Sequence, residues 1–400
     1  MNLCDIKSKL NYQEKFEKLS RRLRKNGLVA FYYELFSADV EMDCLPQEVY
    51  DSEFYKANFW KRRAGRDNTI IEKAKRISSC CSFFSGDYYR LQGVKDLQKV
   101  NLCMDRFCDN CQNTLSVQRF EKYEPLLLKL AEEYDIDHVV LTVPNVPLYR
   151  FSETLDKMLK AYKRLNIFLL GKKAVRNVNF AKYGYLGSIR ALEITKNRDT
   201  GKLHPHFHCL WLRKKAAKQR ARNLNAFSFN RTEHRQCGDD KPYYFTDFEI
   251  LIQKVWRCLC ENIEVNYSNI ENMVYGYDCM IKSAKGHYKE IFKYATKGLL
   301  SSDPEKSVTD NYEDWLLVMV ALYHRRLMQG YGALYQLKFD NVVDMSPDDE
   351  YMRVKKELHK LEIPVPFYES LQEVGKNIKS LNVTYISRKS LGQLGAEDVK

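Results

Sequence analysis

The sequence predicts an α+β fold, in which a mostly antiparallel central sheet is flanked by helices. Three observations predict it: a β-branched apolar segment at 138–143, two apolar segments separated by a turn near residue 200, and several segments with helical apolar spacing. A short turn joins antiparallel strands, because parallel strands need a crossover of a dozen or more residues. The hairpin is therefore expected near the centre of the sheet.

The elements follow in chain order. The strand HVVLTV ends at Pro144, and Ser152 is then placed to cap a helix whose apolar residues recur at helical spacing up to Leu165. The hairpin strands are expected at 186–196 and 203–212. Three further elements are predicted: helices over 248–260 and 288–300 and a short strand centred on Val265.

Composition divides the chain into four regions. Residues 1–75 read as helical and basic, residues 76–115 are rich in cysteine, residues 116–340 form the main α+β domain, and residues 341–400 shift to Asp, Pro and Ser. We expect the last region to be a peripheral C-terminal extension.

The overall composition excludes two classes of protein. Of the 400 residues, 44% are hydrophobic and 13% aromatic, which excludes wholesale disorder. The longest apolar run, Trp315 to Tyr323, has nine residues, whereas a membrane span needs about 20. The first residues lack the apolar core of a signal peptide, so a cytoplasmic protein is expected.

The charge balance favours a polyanionic partner. Lys and Arg total 65 against 52 Asp and Glu, a formal net charge of +13. Nucleic acid is the first choice of partner and an anionic membrane surface the second. Three basic segments, at 18–25, 60–66 and 213–222, are candidates for phosphate contact or, alternatively, solvated helix faces. The candidate DNA-binding residues of the third are Arg213, Lys214, Lys215, Arg220 and Arg222.

The stretch HPHFHCLWL, at 204–212, predicts a metal site. His206 and His208 alternate on a predicted strand and so share one face. Pairing about a turn near residue 200 places Glu193 opposite them, and one of the two registers puts its carboxylate on the histidine face. Mixed nitrogen and oxygen ligation suits Mn²⁺ or Mg²⁺ acting on a phosphate, with zinc also open. The alternative is a pair of ordinary core or surface histidines.

Three cysteines lie within nine residues: Cys103, Cys108 and Cys111. The C-x2-C spacing lets two thiolates reach one tetrahedral Zn²⁺. The fourth ligand is expected to be Cys80 or Cys81, with Cys81 marginally preferred. Reduced core cysteines or a redox pair are the alternatives.

The segment EIFKYATKG, at 290–298, places a carboxylate, a phenol and an ammonium on one helical face. Glu290 and Tyr294 are four residues apart, and Lys297 lies three residues further on. A phenol so placed can attack phosphorus, a carboxylate can act as base and a lysine can stabilise charge. Alone, such Glu/Lys spacing is more often a solvated ion pair.

Taken in order, these motifs resemble those of rolling-circle plasmid replication initiator (Rep) proteins of the HUH endonuclease superfamily. In this sequence, Leu141–Asn145 resembles the first motif of the family, His206–His208 its metal motif and Glu290–Lys297 its nucleophile motif. Two flanking segments, at 100–111 and 327–335, are also similar, so the resemblance covers roughly residues 76–340. Asp109 stands where the family usually has proline.

The resemblance implies a fold, a site and a reaction. The fold is an RRM-like antiparallel sheet with His206, His208 and Glu193 as ligands of Mn²⁺ or Mg²⁺, and the cysteine motif is a zinc module. Tyr294 would nick one DNA strand and retain a 5′-phosphotyrosine, leaving a 3′-OH primer. The position of Glu290, four residues before the tyrosine, is similar to one branch of these initiators that uses a single tyrosine. In that branch the glutamate activates water to end a round of replication.

The implied partners are plasmid origin DNA, single-stranded or hairpin at the nick, and a host helicase and polymerase. No Gly-x4-Gly-Lys-Ser/Thr phosphate loop occurs in the chain, so unwinding would need a separate helicase. Three alternatives remain: a related transposase or relaxase, a non-catalytic zinc-dependent DNA-binding regulator, and a metal hydrolase without a covalent intermediate. Relaxases usually place the tyrosine before the histidine motif, and single-domain transposases are much shorter.

Overall fold

The structure is a computed structural model. It describes residues 12–57, 69–197, 199–215, 229, 235–236, 243–284, 286, 288, 308–335, 356, 358–370 and 384–387. The described helices are α1 (Tyr12–Met42), α2 (Gln47–Tyr50), α3 (Thr69–Ser78), α4 (Asp109–Glu133), α5 (Phe151–Leu169), α6 (Asp247–Cys260), α7 (Tyr267–Asn272) and α8 (Val308–Leu322). Single 3-10 turns occupy Leu148–Arg150 and Phe180–Tyr183.

The described strands form three sheets. They are β1 (Phe83–Tyr89), β2 (Val94–Val100), β3 (Tyr134–Thr142), β4 (Tyr185–Lys196), β5 (Leu203–Lys214), β6 (Arg235–Gln236), β7 (Tyr243–Tyr244), β8 (Cys279–Ser283), β9 (Met328–Gly332), β10 (Val365–Ser370) and β11 (Thr384–Ser387). The chain divides into two compact units. The first holds the described residues up to Glu121 and from Lys356 onward, and the second those from Lys122 to Tyr335.

The first unit contains a four-stranded sheet in the order β10-β1-β2-β11. β10 and β2 run antiparallel to β1, whereas β11 runs parallel to β2. The region predicted to be a peripheral extension therefore supplies two strands of this sheet. Local sequence patterns do not show such pairing, because the partner strands lie more than 270 residues apart.

The second unit contains a five-stranded sheet in the order β8-β3-β5-β4-β9, antiparallel throughout. The expected α+β fold with an antiparallel sheet and flanking helices is confirmed. The predicted hairpin is β4–β5, and it lies at the centre of the sheet together with β3. Ring contacts from Tyr162 of α5 and Trp256 of α6 to Phe207 of β5 show that both helices pack on one face.

Local details differ from the predictions in two places. The helix α5 is preceded by the 3-10 turn, and its N-cap is Arg150, without a side-chain cap, instead of Ser152. Val265 is buried in the loop between α6 and α7 and not in a strand. The predicted helix 288–300 falls almost wholly outside the described residues.

Within the described part of the chain, no helix combines the length and apolar composition needed to cross a membrane.

Candidate metal centre and cysteine cluster

The β4–β5 ladder brings one carboxylate and two imidazoles together. Glu193 pairs directly with His206, and His208 lies two residues further along the same face of β5. The Oε2 atom of Glu193 is 2.8 Å from Nε2 of His206 and 2.8 Å from Nε2 of His208. The three residues are only 3%, 8% and 7% exposed. Their ligand atoms all lie within 4.8 Å of one another, as a shared metal ion requires.

The second ring nitrogen of each histidine also has a partner. Nδ1 of His206 donates to the carbonyl of His204 at 3.0 Å. A carbonyl only accepts, so in the neutral ring Nε2 is the unprotonated nitrogen that faces Glu193. Nδ1 of His208 lies 3.1 Å from Nε2 of His138. Partners on the outer nitrogen are the arrangement found around metal-binding histidines.

The residues present fit a divalent cation. A carboxylate buried between two imidazoles needs a compensating positive charge. Two nitrogens and one carboxylate oxygen form an open set that leaves coordination positions for water or phosphate oxygens. This donor set suits Mn²⁺ or Mg²⁺ and also accommodates Zn²⁺.

The strand that carries the histidines is anchored from its other face. Phe207, between the two, is fully buried, and its ring lies 5.5 Å from that of Tyr162 and 6.0 Å from that of Trp256. The guanidinium of Arg190 sits 4.5 Å from the centre of the same ring. This packing restricts the positions of the flanking imidazoles, because a fully packed core side chain cannot shift without opening a cavity.

Four cysteines form a second cluster, in the first unit. The Sγ atom of Cys80 lies 3.5 Å from those of Cys108 and Cys111, and Cys103 lies 3.6 Å from Cys111. The preference for Cys81 over Cys80 as the fourth member is wrong. Cys81 adopts a left-handed conformation (φ 59°) at the turn into β1, its N–H donates to the carbonyl of Asn101, and its thiol lies outside the group.

The backbone around this cluster favours thiolates. The N–H of Cys103 donates to Sγ of Cys80, that of Met104 to Cys111, and that of Cys111 to Cys108, at 3.2–3.5 Å. Hydrogen bonds among the four sulfurs lower the pKa of the Cys108 and Cys111 thiols and raise the pKa of the Cys80 and Cys103 thiols, so the cluster shares protons when no cation is bound. Four converging sulfurs fit a tetrahedral Zn²⁺, which binds cysteine as the thiolate.

Asp105, inside the cysteine loop, is a buried anchor that the sequence analysis missed. Its carboxylate accepts from the hydroxyl of Tyr33 on α1 at 3.1 Å and pairs with Lys73 on α3 at 2.8 Å. It also accepts from the N–H of Phe107 at 2.8 Å. These contacts hold the loop against α1 and α3.

Residues 94–223 match the family model described as "Replication protein". This stretch of the chain is similar to the Rep replication proteins. The matched stretch contains Glu193, His206 and His208 and three of the four clustered cysteines. The resemblance to Rep initiators is confirmed at this level, and the single-tyrosine branch stays a prediction.

Three curated relatives, each named "Protein rep", agree with this similarity. One from a Bacillus species is 24% identical over 295 residues, which is 73% of this chain and 88% of the relative. One from Staphylococcus aureus is 28% identical over 158 residues, 38% of this chain and 61% of the relative. One from Streptococcus pneumoniae is 22% identical over 279 residues, 69% and 72% of the two chains. No solved structure matches the chain significantly.

Arg213, predicted to bind DNA, is instead part of a buried ion-pair network. Its guanidinium is bonded to Asp137 and lies 2.7 Å from Asp135, both on β3, and the residue is 3% exposed. The hydroxyl of Tyr183 also donates to Asp137, at 2.9 Å. The prediction failed because Arg213 belongs to β5 and not to the basic segment that follows. Its side chain therefore pairs with the aspartates of the neighbouring strand β3.

The other predicted DNA contacts divide into two groups. Lys214 and Lys215 are exposed, and the Lys215 ammonium donates to the carbonyl of Glu132. Arg220 and Arg222 lie outside the described residues.

The predicted nucleophile segment also lies outside the described residues, which stop at residue 288 and resume at 308. The roles of Tyr294, Glu290 and Lys297 therefore stay predictions.

Proposed function

We propose that this chain initiates rolling-circle replication by nicking and rejoining one DNA strand at a plasmid origin. The observation that carries the proposal is the buried group of Glu193, His206 and His208 on the central hairpin, inside the stretch that matches the replication protein family. The fold alone would not support a reaction, since one fold serves many functions.

Glu193, His206 and His208 would hold the catalytic cation, Mn²⁺ or Mg²⁺. Such an ion, when bound, supplies Lewis-acid polarisation of the scissile phosphate. The protein's own contribution is orientation: the β4–β5 register fixes the carboxylate opposite the first imidazole, and the packing of Phe207 fixes the strand between the two.

Tyr294 is the proposed nucleophile. Its phenol oxygen attacks the phosphorus in line, the bond to the 3′ oxygen breaks, and the phenol proton is lost to a base. The products are a 5′-phosphotyrosine and a free 3′-OH, which can prime synthesis. Lys297 would stabilise the developing charge or hold the DNA backbone.

Glu290 is the proposed base for ending a round. By activating a water against the phosphotyrosine, it would release the protein from the DNA without a second tyrosine. The three residues are proposed together because their spacing would place them on one face of a helix.

The substrate is proposed to be unpaired at the nick. A tyrosine cannot approach phosphorus in line within an intact duplex, and an extruded hairpin would supply the single strand. Lys214, Lys215, Arg220 and Arg222 are proposed to contact phosphates, which gives affinity without sequence information. A host helicase and a host polymerase would complete the replication.

The test is covalent capture. Wild-type protein, incubated with Mn²⁺ and a labelled library of single-stranded hairpins, should form an adduct that survives denaturing electrophoresis. Tyr294→Phe should bind DNA and form none, while Tyr335→Phe, which alters an exposed tyrosine elsewhere in the chain, should react normally. An adduct in Tyr294→Phe would refute the nucleophile assignment. No adduct with any hairpin, together with retained DNA binding, would favour a non-catalytic zinc-dependent regulator with structural histidines.

A further inference from the structure

A third histidine, His138, lies on the same face of the sheet as the candidate metal ligands. It belongs to β3, which pairs with β5 so that Val140 is opposite His208 and Thr142 opposite His206. Residues 138, 140 and 142 alternate on one face of β3, and this is the face that carries both imidazoles. His138 is therefore a diagonal neighbour of His208, within reach of its ring.

The two rings are in hydrogen-bonding contact. Nε2 of His138 lies 3.1 Å from Nδ1 of His208, the ring centroids are 5.3 Å apart, and the ring planes differ by 18°. His208 meanwhile directs Nε2 to Glu193. Both nitrogens of His208 are thus used at once, one inward to the proposed metal centre and one outward to β3.

The two imidazoles of the centre are oriented by different means. His206 is held by a carbonyl of its own strand, that of His204, which can only accept a hydrogen bond. His208 is held by a side chain from the neighbouring strand, and a side chain, unlike a carbonyl, can be removed by mutation. This asymmetry makes the second contact open to a direct experiment.

We propose that His138 is a positioning residue for the metal centre. Its Nε2 accepts the Nδ1–H of His208 and so keeps the lone pair of His208 Nε2 directed at the cation. His138 does not bind the metal itself, since it does not belong to the group whose ligand atoms lie within 4.8 Å of one another. The inference rests on the proposed metal centre and adds a residue to it.

Two substitutions separate hydrogen bonding from bulk. His138→Phe keeps a ring of similar size but removes the acceptor, whereas the amide oxygen of His138→Gln can replace Nε2. Loss of an outer partner of a metal-binding histidine weakens metal affinity by about 10–100-fold. We expect that loss for His138→Phe and an affinity close to wild type for His138→Gln.

The measurement is calorimetric titration of the full-length protein with Mn²⁺, after the cysteine cluster has been loaded with one equivalent of Zn²⁺. Mn²⁺ prefers nitrogen and oxygen donors to thiolates, so the cluster should not compete. His208→Ala lacks one of the proposed ligands and therefore gives the background Mn²⁺ binding that does not involve the metal centre. His359→Phe, which removes an exposed histidine in the first unit, is the matched control and should bind like the wild type.

The outcomes distinguish this inference from the proposed function. Wild-type protein that binds no more Mn²⁺ than His208→Ala would refute the metal centre itself. A wild type that binds while His138→Phe binds equally well would overturn the role of His138 and leave the centre intact. Equal weakening of Mn²⁺ binding in the Phe and Gln variants would also overturn it, because restoring a hydrogen-bond acceptor would then not restore the affinity.

Folding is checked by circular dichroism. If His138→Phe does not fold, His138→Asn replaces it in the comparison. Asparagine also carries an amide oxygen, but its side chain is one methylene shorter than glutamine and does not reach Nδ1 of His208. Weakened Mn²⁺ binding by Asn and near-normal binding by Gln would support the role, and equal binding by both would oppose it.

Discussion

Glu193 and His206 face each other directly across the β4–β5 ladder, with the carboxylate oxygen 2.8 Å from the imidazole Nε2. The same oxygen is 2.8 Å from Nε2 of His208, two residues further along. One carboxylate thus joins two imidazoles without any contribution from a loop. The precision of the centre comes from strand register, which the regular hydrogen bonds of the hairpin fix.

Removing the charge of Glu193 should disable the proposed reaction. Glu193→Gln keeps the size of the side chain but offers a neutral amide to the cation. We expect nicking to slow by about 1,000-fold, which corresponds to several kcal/mol of lost electrostatic stabilisation. Single-turnover nicking of a labelled hairpin at saturating Mn²⁺ measures it. Glu264→Gln, at an exposed loop position, is the control, and an unchanged rate for Glu193→Gln would refute the ligand assignment.

The cysteine cluster offers a matched pair of adjacent residues. Cys80→Ser should lower the bound zinc well below one equivalent, because Sγ of Cys80 lies inside the group of four. Cys81→Ser should keep a full equivalent, because the Cys81 thiol lies outside it. Plasma mass spectrometry of the purified variants gives the stoichiometry. The reverse result would restore Cys81 as the ligand.

The Asp137–Arg213 pair should matter for stability. Asp137→Ala leaves the Arg213 guanidinium buried without its main partner, and breaking such a pair costs about 3–5 kcal/mol. Urea denaturation followed by circular dichroism should show a free energy of unfolding lowered by that amount. A change below about 1 kcal/mol, typical of surface pairs, would mean that the network is solvated.

Lys214, one residue beyond Arg213, should behave differently. Its side chain is exposed, so Lys214→Ala should leave the free energy of unfolding unchanged and weaken DNA binding at all sequences. If it makes one phosphate contact, the slope of log affinity against log salt should fall by about 0.7 for single-stranded DNA. Fluorescence anisotropy over a series of salt concentrations measures the slope. An unchanged slope would exclude Lys214 from the DNA interface.

Glu290 should separate the two ends of the reaction. Glu290→Gln is expected to nick a hairpin normally but to release the covalent DNA slowly, because only the second step uses its carboxylate as a base towards water. Pulse-chase measurement of adduct decay tests this. Equal slowing of nicking and release would instead indicate a shared base.

Elements that depend only on short-range sequence patterns were predicted well. The hairpin strands at 186–196 and 203–212 needed only alternation and a turn, and the structure extends them by one or two residues to Tyr185 and Lys214. That small extension changed one assignment, because it moved Arg213 from a basic segment into a strand. A difference of a single residue at a strand end is within the usual uncertainty of local patterns, yet it decides whether a side chain is buried.

Contacts between distant segments were not predictable in the same way. His138 was recognised only as the first residue of an apolar strand, and nothing local placed it beside His208, 70 residues away. Asp105 likewise carried no signal that Tyr33 and Lys73 would hold its carboxylate. Polar residues that support a site from neighbouring strands or helices have no characteristic spacing.

The sequence by itself determined the antiparallel hairpin, the shared strand face of His206 and His208, and the grouping of Cys103, Cys108 and Cys111, because each follows from spacing along the chain. The register that places Glu193 opposite His206 was left open by the sequence and decided by the structure. Only the tertiary structure decided that Cys80 completes the cysteine group, that Arg213 is buried against Asp137, and that residues 365–370 pair with β1. These depend on which distant strands become neighbours. That choice is made by packing of the whole chain and not by the periodicity of any one segment.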